Sequence, residues 1–153
     1  MINPLYVANT ILLKAHEENI DISPMKLQKL IYIFYKKNLQ NNNEKLFNDK
    51  FEVWKYGPVL SSVYEYFKPF RSKPITNYFM DTDNTFTTLD LSSNKNVKNA
   101  FDDMWEVYKH FDGVYLSMLT HLEGTAWDKA KNQNKDFLED NDIIQEFDYE
   151  SKF

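Results

Sequence analysis

The chain has no cysteine, three glycines and three histidines in 153 residues. Without cysteine, disulfides and thiolate zinc sites are excluded. Three isolated glycines cannot assemble a glycine-rich phosphate loop. HEEN at 16–19 is not HExxH, and no GxSxG occurs. Ser117 and His121 are spaced to meet on one helix face, but no orienting acid or oxyanion hole accompanies them. The spacing of His110, Asp112 and His121 does not demand a metal. No catalytic residue, cofactor or metal is therefore expected.

Two further absences bear on location and partners. No apolar run approaches the length that spans a bilayer. The N-terminus, MINPLYVANTILLKAHEEN, lacks the basic region and cleavage site of a signal peptide. Together with the missing cysteine, these predict a cytoplasmic protein. Basic charge is also short, with 18 Lys and Arg against 23 Asp and Glu and a net charge of −5. That balance argues against a general nucleic-acid binder and gives no reason to expect a membrane partner.

What the chain does have is ring surface, with 12 Phe, 10 Tyr and 3 Trp. That much aromatic area must be buried or offered to a partner. Apolar residues recur at helical spacing in most long segments, which predicts a mainly α fold in a single domain over 1–153. Residues 4–18 form a first helix. Ser23 and Pro24 start a second, in which Leu27, Leu30, Ile31 and Phe34 share one face. Lys26, Lys29, Lys36 and Lys37 form an arc on the other side, read as solvated, with Ile33 inside it. A strand is expected near 51–56, stopped at Gly57-Pro58, with Pro58 opening a helix whose inner face is Val59, Val63, Tyr66 and Phe67. Residues 75–91 read as two β-prone runs around DTDN, a hairpin. Helices follow over 92–111, 113–124 and 125–133. The segment 136–153 is acidic around Ile143, Ile144 and Phe147.

Three stretches carry a resemblance. They are SPMKLQKLIYIFYKKNL at 23–39, LFNDKFEVWKYGPVLSSVYEYFK at 46–68, and YLSMLTHLEGTAWDKA at 115–130. Together they resemble the Panacea domain of SocA-like antitoxins. The matching positions are Lys26, Leu27, Lys29, Leu30 and Tyr32, then Trp54, Tyr56, Gly57, Pro58 and Val59, then Leu119, Thr120, His121 and Trp127. The family often has proline directly before the tryptophan, where this chain has Ala126.

The resemblance implies an antitoxin whose partner is a cognate toxin protein. Neutralisation would proceed by direct contact or by delivery to a AAA+ protease, and the resemblance does not choose between them. A phage or mobile-element effector that blocks a host factor is an alternative, as is an enzyme with a site around His121. Ile33 ringed by lysines resembles an interface centre with a polar rim. Lys29, Tyr32, Ile33, Lys36, Tyr56, Gly57 and Pro58 are accordingly expected to meet the partner, although Ile33 would equally suit packing against the C-terminal segment. The acidic C-terminal segment suggests a basic partner. Lys26, Leu27, Leu30, Trp54, Val59, Thr120, His121 and Trp127 are expected to be structural. Trp54 and Tyr56, two apart on a strand, would share a face and either plug the core or form a platform.

Overall fold

The computed structural model describes residues 2–153. Among the described residues, seven α-helices, three short 3-10 helices and one small hairpin make up the regular structure. The α-helices and strands are α1 (Pro4–Glu17), α2 (Pro24–Asn42), β1 (Glu52–Trp54), β2 (Gly57–Val59), α3 (Ser61–Phe67), α4 (Lys95–Tyr108), α5 (Gly113–Thr120), α6 (Ala126–Asn132) and α7 (Asp140–Gln145). The fold is mainly α, as the periodicity predicts. None of these helices is long and apolar enough to cross a membrane.

Helix α2 is the organising element. It begins as the sequence indicates, with the Ser23 hydroxyl accepting from the Lys26 N–H and Pro24 in the first turn. It ends at Asn43, which takes a left-handed conformation with φ 55°. Between these caps it packs against α1, α3, α4, α5, α7 and β2. Leu27, Leu30, Ile31 and Phe34 are fully buried, but so are Tyr32 and Ile33. A helix buried on all sides must place its polar side chains against other protein groups.

The lysine arc therefore does not face solvent. Lys26, Lys29 and Lys36 are buried, and only Lys37 is partly open. Each buried ammonium donates to a backbone carbonyl of another element. Lys26 reaches Lys109, just past the end of α4. Lys29 reaches Pro58 in β2 at 2.9 Å, and Lys36 reaches Phe147, beyond α7, at 2.6 Å. Gln40 adds the carbonyls of Ile143, Ile144 and Glu146. Helix ends leave carbonyls without partners, and α2 supplies the missing donors for α4 and α7.

Two β expectations need correction. Gly57-Pro58 does not end the only strand, nor does Pro58 open a helix. Gly57–Val59 is itself β2, antiparallel to β1, with Val53 opposite Pro58 and Lys55-Tyr56 as a two-residue turn. Val53 donates its N–H to Asp136 at 2.9 Å, away from β2. Pro58 thus faces a position where no ladder donor is needed, so its missing N–H costs nothing. Helix α3 starts later, at Ser61. Val63 and Phe67 face inward, while Tyr66 is exposed.

Residues 75–91 hold no strand. Asp81 and Thr85 close a turn, but the arms pair with α1 rather than with each other. Asn9 accepts from the Phe79 N–H and donates to the carbonyls of Phe79 and Thr87, and the Thr10 hydroxyl takes the Leu89 N–H.

Candidate functional site

The three stretches singled out in the sequence converge on the hairpin. Gly57 has φ +114°, a conformation that a side chain disfavours. A Cβ there would lie 3.0 Å from the Thr120 hydroxyl and 3.2 Å from the Lys29 ammonium. Thr120 is fixed by donating back to the carbonyls of Leu116 and Ser117. The Ser117 hydroxyl donates to the Tyr56 carbonyl at 2.6 Å rather than to His121. His121 instead uses Nδ1 on the Ser117 carbonyl and sets its ring edge-on to Trp127, centroids 5.2 Å apart. The Trp127 indole donates to the Trp54 carbonyl at 2.7 Å. Helices α2, α5 and α6 thereby hold the Lys55-Tyr56 turn from three sides.

The electrostatics of this support are those of a dry interior. Burial pulls Lys29 down to about 7. Lys26 and Lys36 are also lowered by burial, opposed by the charges of Asp112 and Glu146 respectively. The Glu146 carboxylate is buried and gathers Lys36 at 3.0 Å, the Tyr32 hydroxyl at 2.9 Å, the Ala126 N–H at 2.8 Å and the Tyr149 hydroxyl. Burial beside that carboxylate pushes both tyrosine hydroxyls up, so they remain donors. Ala126 matters here, because a proline would have no N–H to offer Glu146.

Of the residues expected to meet a partner, only Tyr56 presents its side chain, at 55% exposure. Gly57 and Pro58 are buried and shape the turn; Lys29, Tyr32, Ile33 and Lys36 are buried within the fold. Trp54 is half-buried, and Trp127 is buried. Beside Tyr56 lies a largely apolar groove of about 390 Å³, with Met25, Trp54, Val59 and Tyr64 in its walls and Lys29, Lys55 and Arg71 at its polar positions. Trp54 meets Tyr64 edge-on, centroids 4.7 Å apart. Lys55 lies over the Tyr56 ring at 5.4 Å. Arg71 adopts φ +57°, unusual for a residue with a side chain. Among the described residues, no cluster of three or more His, Asp or Glu side chains could hold a metal ion.

The family model for the antitoxin SocA-like, Panacea domain matches residues 27–128. The chain belongs to this family. The curated Antitoxin SocA of Caulobacter vibrioides (strain NA1000 / CB15N) is 29% identical over 129 residues, covering 82% of this chain and 69% of that protein. No solved structure matches. The Panacea match includes Trp54, Tyr56, Tyr64 and Arg71 of the groove, together with Gly57, Thr120 and Trp127 of its support. It stops before Glu146, Phe147 and Tyr149, so the C-terminal strap on α2 lies outside the matched region.

Several residues of the site escape a reading of the sequence. Gln28 makes paired hydrogen bonds with the Leu60 N–H and carbonyl, at 2.9 and 3.0 Å, and fixes the start of α3. Its place between two lysines of the KLQKL run was the available signal. Met25, Tyr64 and Arg71 come together only through the fold. Glu146 is one acid among many in its segment, and nothing local marks it for burial.

Proposed function

We propose that this chain is a non-enzymatic, cytoplasmic antitoxin that neutralises a protein toxin by direct contact, and that the contact surface is the hairpin corner. The observation that carries this is the exposed Tyr56 beside the Met25–Trp54–Tyr64 groove. Tyrosine and tryptophan beside an arginine, over an apolar floor, are the composition of binding hot spots. A turn held from three helices gives the partner a preorganised surface, which lowers the ordering cost of association. Membership of an antitoxin family supplies the class of partner. Buried Lys29, Gly57 and Pro58 act by shaping the corner; Tyr32, Ile33 and Lys36 act in the core.

The test co-expresses the product of the open reading frame adjacent to the gene, with and without this chain. Growth should be lost with that product alone and restored by the chain, and the two proteins should co-purify. A Tyr56→Asp, Lys55→Glu variant with an unchanged melting curve should lose both effects. Full protection by that variant would overturn the assignment of the surface. Protection accompanied by disappearance of the toxin would identify proteolytic delivery rather than sequestration.

A further inference from the structure

The hairpin corner differs in charge from the chain that carries it. The net charge is −5, yet the groove beside Tyr56 carries Lys55 and Arg71 and is lined by no carboxylate, with Lys29 buried on the Pro58 carbonyl and Glu52 held at the Trp54 indole N–H at 3.4 Å. Across Trp54 lies a second groove, of about 430 Å³, which adds Lys131 and Lys135 against one acid, Asp136. Lys135 is partly engaged by Glu139 at 3.6 Å. Among the described residues, Lys55, Arg71 and Lys131 take part in no ion pair. Two of these cations rest on ring faces, Lys55 over Tyr56 and Lys131 over Trp127 at 4.9 Å, which keeps them at the grooves.

Three acids of the C-terminal segment are engaged away from the grooves, whereas Asp136 lines the second groove and, among the described residues, Asp142 and Asp148 take part in no ion pair. Glu146 is buried on Lys36, Asp140 is shared between Tyr35 and Lys45, and Glu150 is shared between Lys37 and Tyr108. The charge at the grooves thus points to a partner segment of the opposite sign from the one that the C-terminal segment suggests.

We propose, building on the antitoxin reading above, that the two grooves seat an extended acidic segment of the partner protein. An apolar side chain of that segment enters between Met25, Trp54 and Tyr64, and its carboxylates face Lys55, Lys131 and Arg71. Charge complementarity selects the sign of the occupant, and the apolar walls select a polypeptide. Single-stranded nucleic acid fits less well, because stacking successive bases needs several open ring faces and, among the described residues, Tyr56 is the one exposed ring at the grooves. Trp127 is only 5% exposed, with Lys131 on its face, and Trp54 is turned edge-on to Tyr64. An occupant of both grooves must cross the Trp54 ring, which an extended chain does by sending alternate side chains to opposite sides.

The test is an NMR titration of the full chain with short synthetic peptides in which Leu and Phe are separated by Glu, by Gln or by Lys, and with a short oligo-dT. The Glu peptide should shift the resonances of Trp54, Lys55, Tyr56 and Trp127. Its affinity should fall roughly tenfold in the Lys55→Glu, Lys131→Glu variant, which should in turn take the Lys peptide. Equal binding of the Gln or Lys peptide by the wild type, shifts by oligo-dT alone, or no shift with the Glu peptide would each overturn the proposal. Growth protection against the adjacent gene product separates the two claims. Protection by wild type and variant alike, with no Glu-peptide shift, sinks the acidic-segment proposal and leaves the antitoxin reading standing. Glu-peptide binding without any protection does the reverse.

Discussion

The indole N–H of Trp127 donates to the backbone carbonyl of Trp54 across 2.7 Å. This bond ties α6 to the hairpin, and it assigns the two tryptophans different tasks. Trp127 is buried and supports the turn, whereas Trp54 is half-buried and lines a groove on each side. Trp127→Phe keeps most of the ring but loses the donor, and should cost about 1–2 kcal/mol in urea unfolding. Trp127→Ala should cost about 3–5 kcal/mol, and Trp54→Ala distinctly less. Equal losses for the two alanine variants would refute this division.

Gly57 answers to both backbone and space. Its φ of +114° and the 3.0 Å approach of the Thr120 hydroxyl to an added Cβ act independently. Gly57→Ala should destabilise by about 1–3 kcal/mol. Adding Thr120→Ala relieves the closest contact but leaves the 3.2 Å approach of the Lys29 ammonium and the backbone conformation unchanged, so it should recover only part of the loss. Complete recovery in thermal melts would show that crowding alone requires the glycine.

The Glu146–Lys36 pair should behave as a buried ion pair that specifies where the C-terminal segment docks. Glu146→Ala leaves the Lys36 charge buried without its counterion and should cost about 3–5 kcal/mol. Replacing both residues, as Glu146→Leu with Lys36→Met, should recover the part of that loss due to the unpaired charge, while the Tyr32 and Tyr149 hydroxyls and the Ala126 N–H remain without their acceptor. Additive losses in a double-mutant cycle would contradict this coupling.

Stability should rise as the solution is made mildly alkaline. Burial lowers Lys29 from its ordinary 10.5 to about 7 in the folded state. Between those values the unfolded chain holds a proton that the folded chain has released, so folding becomes more favourable as pH increases through that window. Above about pH 10 the sign reverses. Burial raises Tyr32, Tyr35, Tyr108 and Tyr149, which stay protonated in the fold but ionise in the unfolded chain. Urea unfolding should thus show greatest stability near about pH 9–10. Lys29→Met should flatten the rise above neutral pH; an unchanged slope in that variant would assign the effect to another group.

The helices were legible because their apolar spacing and caps are local. Ser23 and Pro24 start α2 where the sequence places them. The lysines of α2 were misread for a physical reason. A periodic pattern identifies which residues are apolar, but not that neighbouring elements bring unsatisfied carbonyls to the polar side. Lys26, Lys29 and Lys36 are drawn inward by Lys109, Pro58 and Phe147, each distant in sequence. The hairpin was hidden by its chemistry, since Lys55-Tyr56 is not a glycine-bearing turn and Pro58 resembles a strand breaker. Of the candidate site, the sequence marked Trp54 and Tyr56, but the groove depends on Met25, Tyr64 and Arg71, which only the fold assembles.

The central claim is that a partner protein binds at the hairpin corner, and calorimetry on one variant tests it most directly. The adjacent gene product would be titrated into wild type and into Tyr56→Ala, a change at an exposed side chain that should leave the melting temperature in place. The account predicts that Tyr56→Ala weakens binding by about tenfold or more, the loss expected of a hot-spot aromatic. Wild-type affinity in Tyr56→Ala, with the fold intact, would contradict it.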